Sequence, residues 1–581
     1  MPTKPLKWVI LLGVSLEEVV MTLFNSFIRR PVAMSVPVYL AFSAAVVSQT
    51  TAASDITIIA PITADQGEQV APTPEPLVLT GDAALLRDAL EAGGEKTAEL
   101  RAFYETRAFE PIWNAGRISA LVDVLAAAAD HGLPAARYAG AELGQLFATN
   151  PIGADKISAE IAASEEFLKY AHDVGSGLTV PNSIDRELNI FPERTPVAVL
   201  LAGMSEADNL SAFLAGLAPS HPHYKSLQAE KLRLETLISD AAWGQEIPAG
   251  GTLKPGASGA RVTAMRARLA AIEGLELGEE PVFDAALVEV VKTFQLRHGL
   301  NDDGVAGPRT LAAINATPED RLKQVLVNLE RQRWLNLDRG ERHIYVNQAD
   351  FTVTLFEKGE PIYFTRAVVG KAVKHRTPEF NDEMTHMVVN PTWHVPRSIA
   401  TEEMLPKLQR NPGALGNMSI QTRNGTRVNP ALVDFSQFTK GNFPFVIKEP
   451  PSGGNALGRV KFLFPNKFNI YLHDTPSKSL FNRDARAFSH GCVRLQKPFE
   501  LAEILLGFQT SDPAGTFQSY LNTGRERRVD LEQAIPVYLT YQSAWVDNFG
   551  KPQFREDIYG RDKKVFDALE AAGVSLNAVE G

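Results

Sequence analysis

The chain runs to 581 residues with a formal net charge of −10. Single cores stop growing near ~250–300 residues, so two to four domains are expected. The acidic balance, with no basic block or stripe, excludes a general nucleic-acid binder, and a single cysteine rules out an intramolecular disulfide.

The N-terminus bears on compartment. Residues 8–28 are apolar, but Glu17 and Glu18 sit in the middle, and each would cost roughly 2.5–3.5 kcal/mol at a bilayer centre. A second pattern follows: Arg29 and Arg30, an apolar run over 35–47, then small residues ending at Ala53. Residues 1–53 therefore read as a secretory signal peptide, with an uncleaved signal anchor as the alternative. In either case the bulk of the chain is exported, and membrane attachment is expected only through that segment. Residues 54–80, rich in proline and polar residues, read as a linker.

Residues 81–250 carry Ala- and Leu-rich runs at helical spacing and read as a helical scaffold domain. Two aromatic-rich pieces interrupt them, FYETRAFEPIW (103–113) and HGLPAARY (131–138). Residues 251–316 form a smaller unit. Val262, Met265 and Leu269 share one helical face, and Val288, Val291, Phe294 and Gln295 share another. Gly304 and Gly307 suit a tight loop before a last short helix.

From 317 a helix leads into sequence that alternates apolar and polar residues, with turns near 347–350 and 358–359, the pattern of a sheet built from hairpins. Residues 400–455 break that alternation with many Pro, Gly and Asn and read as an insertion or lid. A catalytic domain over 317–510 is expected. Residues 511–581 read as strands and a terminal helix that complete the scaffold. The fold class is multidomain α+β.

Two segments carry chemistry. In FNIYLHDTP (468–476), Phe468, Ile470 and Leu472 alternate with Asn469 and Tyr471, which predicts a strand delivering His473 at its end. In RAFSHGCVRL (486–495), Ser489, His490, Gly491 and Cys492 precede strand-like residues. A free thiol has a pKa near ~8.5 and is mostly protonated at neutral pH. A neighbouring imidazole could take that proton, forming a thiolate–imidazolium pair, and later return it to a leaving amine. Gly491 permits a sharp turn, and backbone N–H groups around Gly491 and Cys492 could bind a tetrahedral oxyanion. No zinc-ligand spacing is present, so no metal is expected.

These residues closely resemble the L,D-transpeptidase catalytic domain (YkuD-type), whose signature is a His, a spacer of about fifteen residues, then Ser/Thr-His-Gly-Cys and an Arg or Asn two positions later. Here that is His473, Ser489-His490-Gly491-Cys492 and Arg494. Residues 251–316, from LKPGASGARV to DDGVAGPRTLAAIN, resemble the peptidoglycan-binding-like domain, a three-helix module. NALGRVKFLFPN (455–466) and the two aromatic-rich pieces are typical of the large multidomain periplasmic subfamily. One departure is that the family's Arg-Gln-x-Pro-Gly stretch is replaced by KEPPSGG (448–454).

The resemblance implies Cys492 as nucleophile and His473 as proton donor and acceptor. Asp474 would orient His473 through its carbonyl, and His490, Gly491 and Ser489 would shape the oxyanion site. Arg494 would hold a substrate carboxylate or order the loop, with Tyr471 a second substrate-binding candidate. The implied reaction is acyl exchange between peptidoglycan stem peptides, a donor tetrapeptide and an acceptor amine, with no cofactor and no nucleic acid. Transfer to water, to other amines, or a purely wall-binding role are the alternatives. A monomer is the default expectation.

Overall fold

Helices dominate the first half of the computed structural model, which describes residues 79–576. The signal segment and nearly all of the expected linker lie outside the described residues. The centre of the helical region is a 24-residue helix, Gly153–Ser176. Around it pack Gly81–Ala92, Ala98–Glu105, Ala115–Ala126 and Val197–Glu206, burying Leu86, Leu90, Leu121 and Phe167 completely. The buried Glu160 carboxylate on the long helix explains the first aromatic-rich piece. It accepts from the Tyr104 hydroxyl (2.7 Å) and the Ile112 N–H (2.5 Å), pinning 103–113 to the core. A short strand, β1 (Leu188–Asn189), leaves this region to pair with the large sheet.

Three helices follow, Ala260–Glu273, Ala285–Arg297 and Pro308–Asn315, around a core of Val262, Met265, Leu269, Val291 and Phe294. Gln295 closes the Gly304 loop: it accepts from the Gly304 N–H (2.9 Å) and donates to the Val305 carbonyl (3.0 Å).

Helix Pro318–Trp334 starts with a full capping box between Thr317 and Asp320. It does not pack as the opening of the catalytic domain. Its Leu322, Val325 and Leu329 share a core with Leu227 and Leu234 of helix Pro222–Ser239 and with Val565, Phe566 and Leu569 of the C-terminal helix Arg561–Ala571.

The next strands are β2 (Arg342–Asn347), β3 (Thr352–Glu357), β4 (Glu360–Gly370) and β5 (Glu379–Val389). A small sheet of β6 (Trp393–His394), β7 (Ser419–Gln421), β8 (Arg427–Val428) and β9 (Val446–Glu449) interrupts them. The main sheet resumes with β10 (Val460–Leu463), β11 (Leu472–His473), β12 (Ala487–Ser489), β13 (Val493–Leu495) and β14 (Arg527–Thr540). Its order is β5-β10-β11-β13-β4-β3-β2-β14, and β14 pairs with β5 as well as β2, which closes the strands into a ring. Closure pairs each of these eight strands on both sides. The ring is filled by Val346, Val353, Val389, Phe462, Leu472, Val493 and Val537.

Three further expectations change. Residues 527–540 do not complete the scaffold; they close the large sheet, because alternate apolar residues such as Val529, Val537 and Leu539 face its core. The strand predicted over 468–473 shrinks to β11, because Asn466 builds a turn around Asn469, which has φ +55. The Asn466 side chain accepts from the Phe468 and Ile470 N–H groups and donates to the Phe464 and Ile470 carbonyls. The insertion is a folded subdomain joining the paired strands β5 and β10. Its core includes Leu408, Ile420, Phe435, Phe443 and Ile447, with Phe435, Phe438, Phe443 and Phe445 in mutual edge contacts. Asn455, fully buried, clasps its base by donating to the Pro391, Glu449 and Pro450 carbonyls.

Candidate active site

Strands β11 and β13 run parallel, with Leu472 opposite Val493 and His473 opposite Arg494. Leu472, Val493 and Leu495 enter the core. Side chains alternate along a strand, so His473 and Arg494 turn to the other face, where Tyr471 and Cys492 lie one pleat further on. The ring of Tyr471 meets His473 edge to face, with centroids 5.6 Å apart. These four residues are brought together by sheet register.

His473 is buried, and its Nδ1–H donates to the Asp474 carbonyl at 2.5 Å. That places the proton on Nδ1 and the lone pair on Nε2. Asp474 is itself fixed. Its carboxylate accepts from the Arg459 N–H (2.8 Å), the Thr475 N–H (2.7 Å) and the Lys478 ammonium (2.8 Å). Gly458 opposite it has φ +63, and a Cβ there would sit 2.2 Å from the carboxylate.

The thiol of Cys492 is half-buried and donates to the Asn469 carbonyl at 3.6 Å, not to the imidazole. Burial pushes the thiol up to about 11, against hydrogen bonding from Tyr471 and the positive fields of Arg494 and Lys461. Burial, then the charge of Arg494, pushes His473 down to about 3. The resting pair is therefore neutral thiol and neutral imidazole, where the sequence suggested a thiolate–imidazolium pair. Both cations oppose a charged imidazole, and burial opposes both ions.

The Ser489-His490-Gly491 turn is more structural than expected. The Ser489 hydroxyl accepts from the Gly491 N–H (3.1 Å) and donates to the Cys492 carbonyl (2.5 Å), so the Gly491 N–H is already used. Among the described residues the Cys492 N–H has no protein partner and is available to an oxyanion. Gly491 has φ +113, and a Cβ would meet Ile470 at 3.0 Å. The His490 ring turns away from the thiol to the insertion, pairing with Glu403 at 2.5 Å and lying against His375.

Several contributors carry no sequence signal of their own. Thr377 accepts from the Gly370 N–H (3.0 Å) and donates to the Gly491 carbonyl (2.7 Å), and the Tyr559 hydroxyl donates to the Gly370 carbonyl (2.6 Å). Asn469 supplies a carbonyl, which any residue could. Glu403 and Lys461 reach the site only through packing and strand register.

A closed sheet presenting one cysteine and one histidine on adjacent strands corresponds to a known catalytic domain: residues 341–526 match the L,D-transpeptidase catalytic domain family. Residues 258–314 match the family described as "Putative peptidoglycan binding domain", and residues 98–230 the Scaffold domain family. Three segments of the chain thus match the domain families that its motifs suggested: scaffold, peptidoglycan-binding-type and L,D-transpeptidase catalytic.

A Haemophilus influenzae protein named "Putative L,D-transpeptidase" is 34% identical over 258 residues, which is 43% of this chain and 51% of that protein. The chain spans about half the length of this curated relative. Among solved structures, an L,D-transpeptidase from Xylanimonas cellulosilytica is 13% identical with a TM-score of 0.16, covering 50% of this chain and 99% of its own. One from Stackebrandtia nassauensis is 13% identical with a TM-score of 0.20, covering 50% and 97%.

Proposed function

We propose that this protein is a peptidoglycan L,D-transpeptidase that forms 3→3 cross-links between stem peptides through a Cys492 thioester. The observation that carries the reading is the pairing of His473 with Arg494 across adjacent strands, with Cys492 at the turn that enters the second, within the matched catalytic domain.

The donor is a tetrapeptide stem. The thiol swings from the Asn469 carbonyl toward Nε2 of His473, which accepts its proton as sulfur attacks the carbonyl between the third residue and the terminal D-alanine. The Cys492 N–H donates to the oxyanion. The imidazolium, disfavoured by Arg494 and Lys461, passes its proton to the departing amine, and D-alanine leaves. The side-chain amine of a second stem then attacks the thioester, His473 takes its proton, and the thiol is restored. Arg494 is the partner for the terminal carboxylate. Protons and electrons balance without a metal or nucleotide.

Water must be kept from the thioester. The insertion, tied to the catalytic turn by Glu403 and His490, is suited to that task. The three-helix module would hold the enzyme to the wall, and the substrate class implies an exported, periplasmic protein. Among the described residues no helix is long and apolar enough to cross a membrane.

The test uses purified full chain and tetrapeptide muropeptides, with products resolved by mass. Wild-type protein is expected to give cross-linked dimer and free D-alanine, and Cys492→Ala neither. Cross-links formed by Cys492→Ala would overturn the proposal. Tripeptide without dimer would assign hydrolysis in its place.

A further inference from the structure

Strand β10 lies on the other side of β11 from β13, and its Lys461 stands opposite His473. Directly opposed residues share a face. The histidine is therefore flanked by a cation on each side, Lys461 on one strand and Arg494 on the other. Neighbours of Lys461 on β10, Val460 and Phe462, are buried in the core, so its own side chain belongs to the site face. Its ammonium lies 5.9 Å from the centre of the Tyr471 ring.

Among the described residues neither cation is in an ion pair. The ion pairs around the site are Lys478–Asp474 and His490–Glu403. The Arg494 Nε is buried with no hydrogen-bond partner. The carboxylate acting most strongly on Lys461 is Glu526, which is held by the Thr392 N–H. Burial lowers the pKa of both cations. Both side chains are half-buried, and withdrawing cations from water without an anion is costly, which makes this a site short of two negative charges.

A donor stem of the class assigned above can bring two. Its terminal carboxylate lies one residue beyond the scissile carbonyl, within ~3.6 Å of chain. Arg494, on β13 two positions after Cys492, is near enough for it. A second carboxylate sits at the end of the side chain when the third residue is a diamino diacid. Strands are spaced roughly 4.8 Å apart, so Lys461, two strands from β13, is offset by ~10 Å, the distance such a longer arm spans.

We propose that Lys461 binds the side-chain carboxylate of the third stem residue and makes the enzyme selective for donors that carry it free. The proposal rests on the L,D-transpeptidase reading and adds a specificity residue to it.

The test compares two synthetic tetrapeptide stems that differ only in that carboxylate, free in one and amidated in the other. Release of D-alanine is measured for the wild-type chain, Lys461→Met and Lys461→Arg. The quantity read is the ratio of kcat/KM between the two donors, which is unaffected by the fraction of enzyme folded. The wild type is expected to favour the free carboxylate about tenfold, the scale of one charge-assisted hydrogen bond, mainly through KM. Lys461→Met should bring the ratio to near one, and Lys461→Arg should restore most of it. A wild-type ratio near one, or a ratio unchanged in Lys461→Met, would overturn the assignment while leaving the transpeptidase reading intact. A wild-type chain that released D-alanine from neither donor would overturn both.

Discussion

The thiol of Cys492 and the imidazole of His473 sit in a field that keeps each uncharged. With the thiol raised to about 11, only about one molecule in 10⁴ is thiolate at pH 7. The proposed reaction would then couple nucleophile formation to attack, with His473 accepting the proton as the sulfur–carbon bond forms. A depressed histidine suits this role, since it stays unprotonated at every pH above about 3. Because Cys492 is the only cysteine, alkylation by a small neutral reagent reports on it alone. The rate is expected to rise about tenfold per pH unit between pH 6 and 9, following the thiolate fraction. A rate that is flat across that range would mean a preformed ion pair and would reject the neutral resting state. At this scale the sequence singled out Cys492 and His473 as candidates because residue type and spacing carry their chemistry. Asn469 and Thr377 stayed hidden, since one acts through a backbone carbonyl and the other through a turn that only the fold brings to Gly491.

At the scale of elements, alternation was a good guide to β2, β3 and β4 and a poor one near the site. The apolar residues Phe468 and Ile470 pack below a turn, so they alternate as a strand would without forming one. Irregular sequence between β5 and β10 hid a subdomain whose aromatic core gives it definite shape; each such ring pair adds roughly 0.5–1.5 kcal/mol beyond the area it buries. That rigidity matters because the insertion reaches the catalytic turn through one pairing, Glu403 with His490. The carboxylate and the imidazole are both partly exposed, so the pairing contributes little to global stability. Its consequence should be local. In Glu403→Ala the insertion loses its hold on the turn, and water should gain access to the proposed thioester. The ratio of tripeptide to cross-linked dimer is expected to rise severalfold with little change in Tm, read by muropeptide mass and thermal melting. An unchanged ratio would separate the insertion from water exclusion.

At the scale of the whole molecule, composition and length were enough to indicate several cores, and the three-helix unit was readable from its helical faces and Gly-rich loop. What sequence could not convey is how distant segments meet. Arg561, fully buried at the start of the C-terminal helix, is the clearest case. Its guanidinium donates to Glu379 on β5 (3.3 Å), to Gln348 (3.2 Å), to Glu187 beside β1 (3.2 Å) and to the Thr377 carbonyl (2.8 Å). One side chain thus joins the helical region, the sheet and the segment whose threonine holds Gly491. In Arg561→Met the buried Glu379 carboxylate loses its nearest cation. Breaking such a pair typically costs about 3–5 kcal/mol, so a marked fall in Tm is expected. The deficit should depend on pH in a definite direction. Burial already raises the Glu379 pKa, and Arg561 is the main influence lowering it, so the variant's folded state holds its proton more tightly than the unfolded chain does. Stability lost on that account grows as pH rises past the unfolded value near ~4.3, and the Tm deficit should be larger at pH 8 than at pH 5. A small deficit, equal at both pH values, would mean that Arg331, the second cation acting on Glu379, compensates for Arg561. A loss of activity exceeding the loss of folded protein would instead place Arg561 in line with the turn, through Thr377 to Gly491 and so to Cys492.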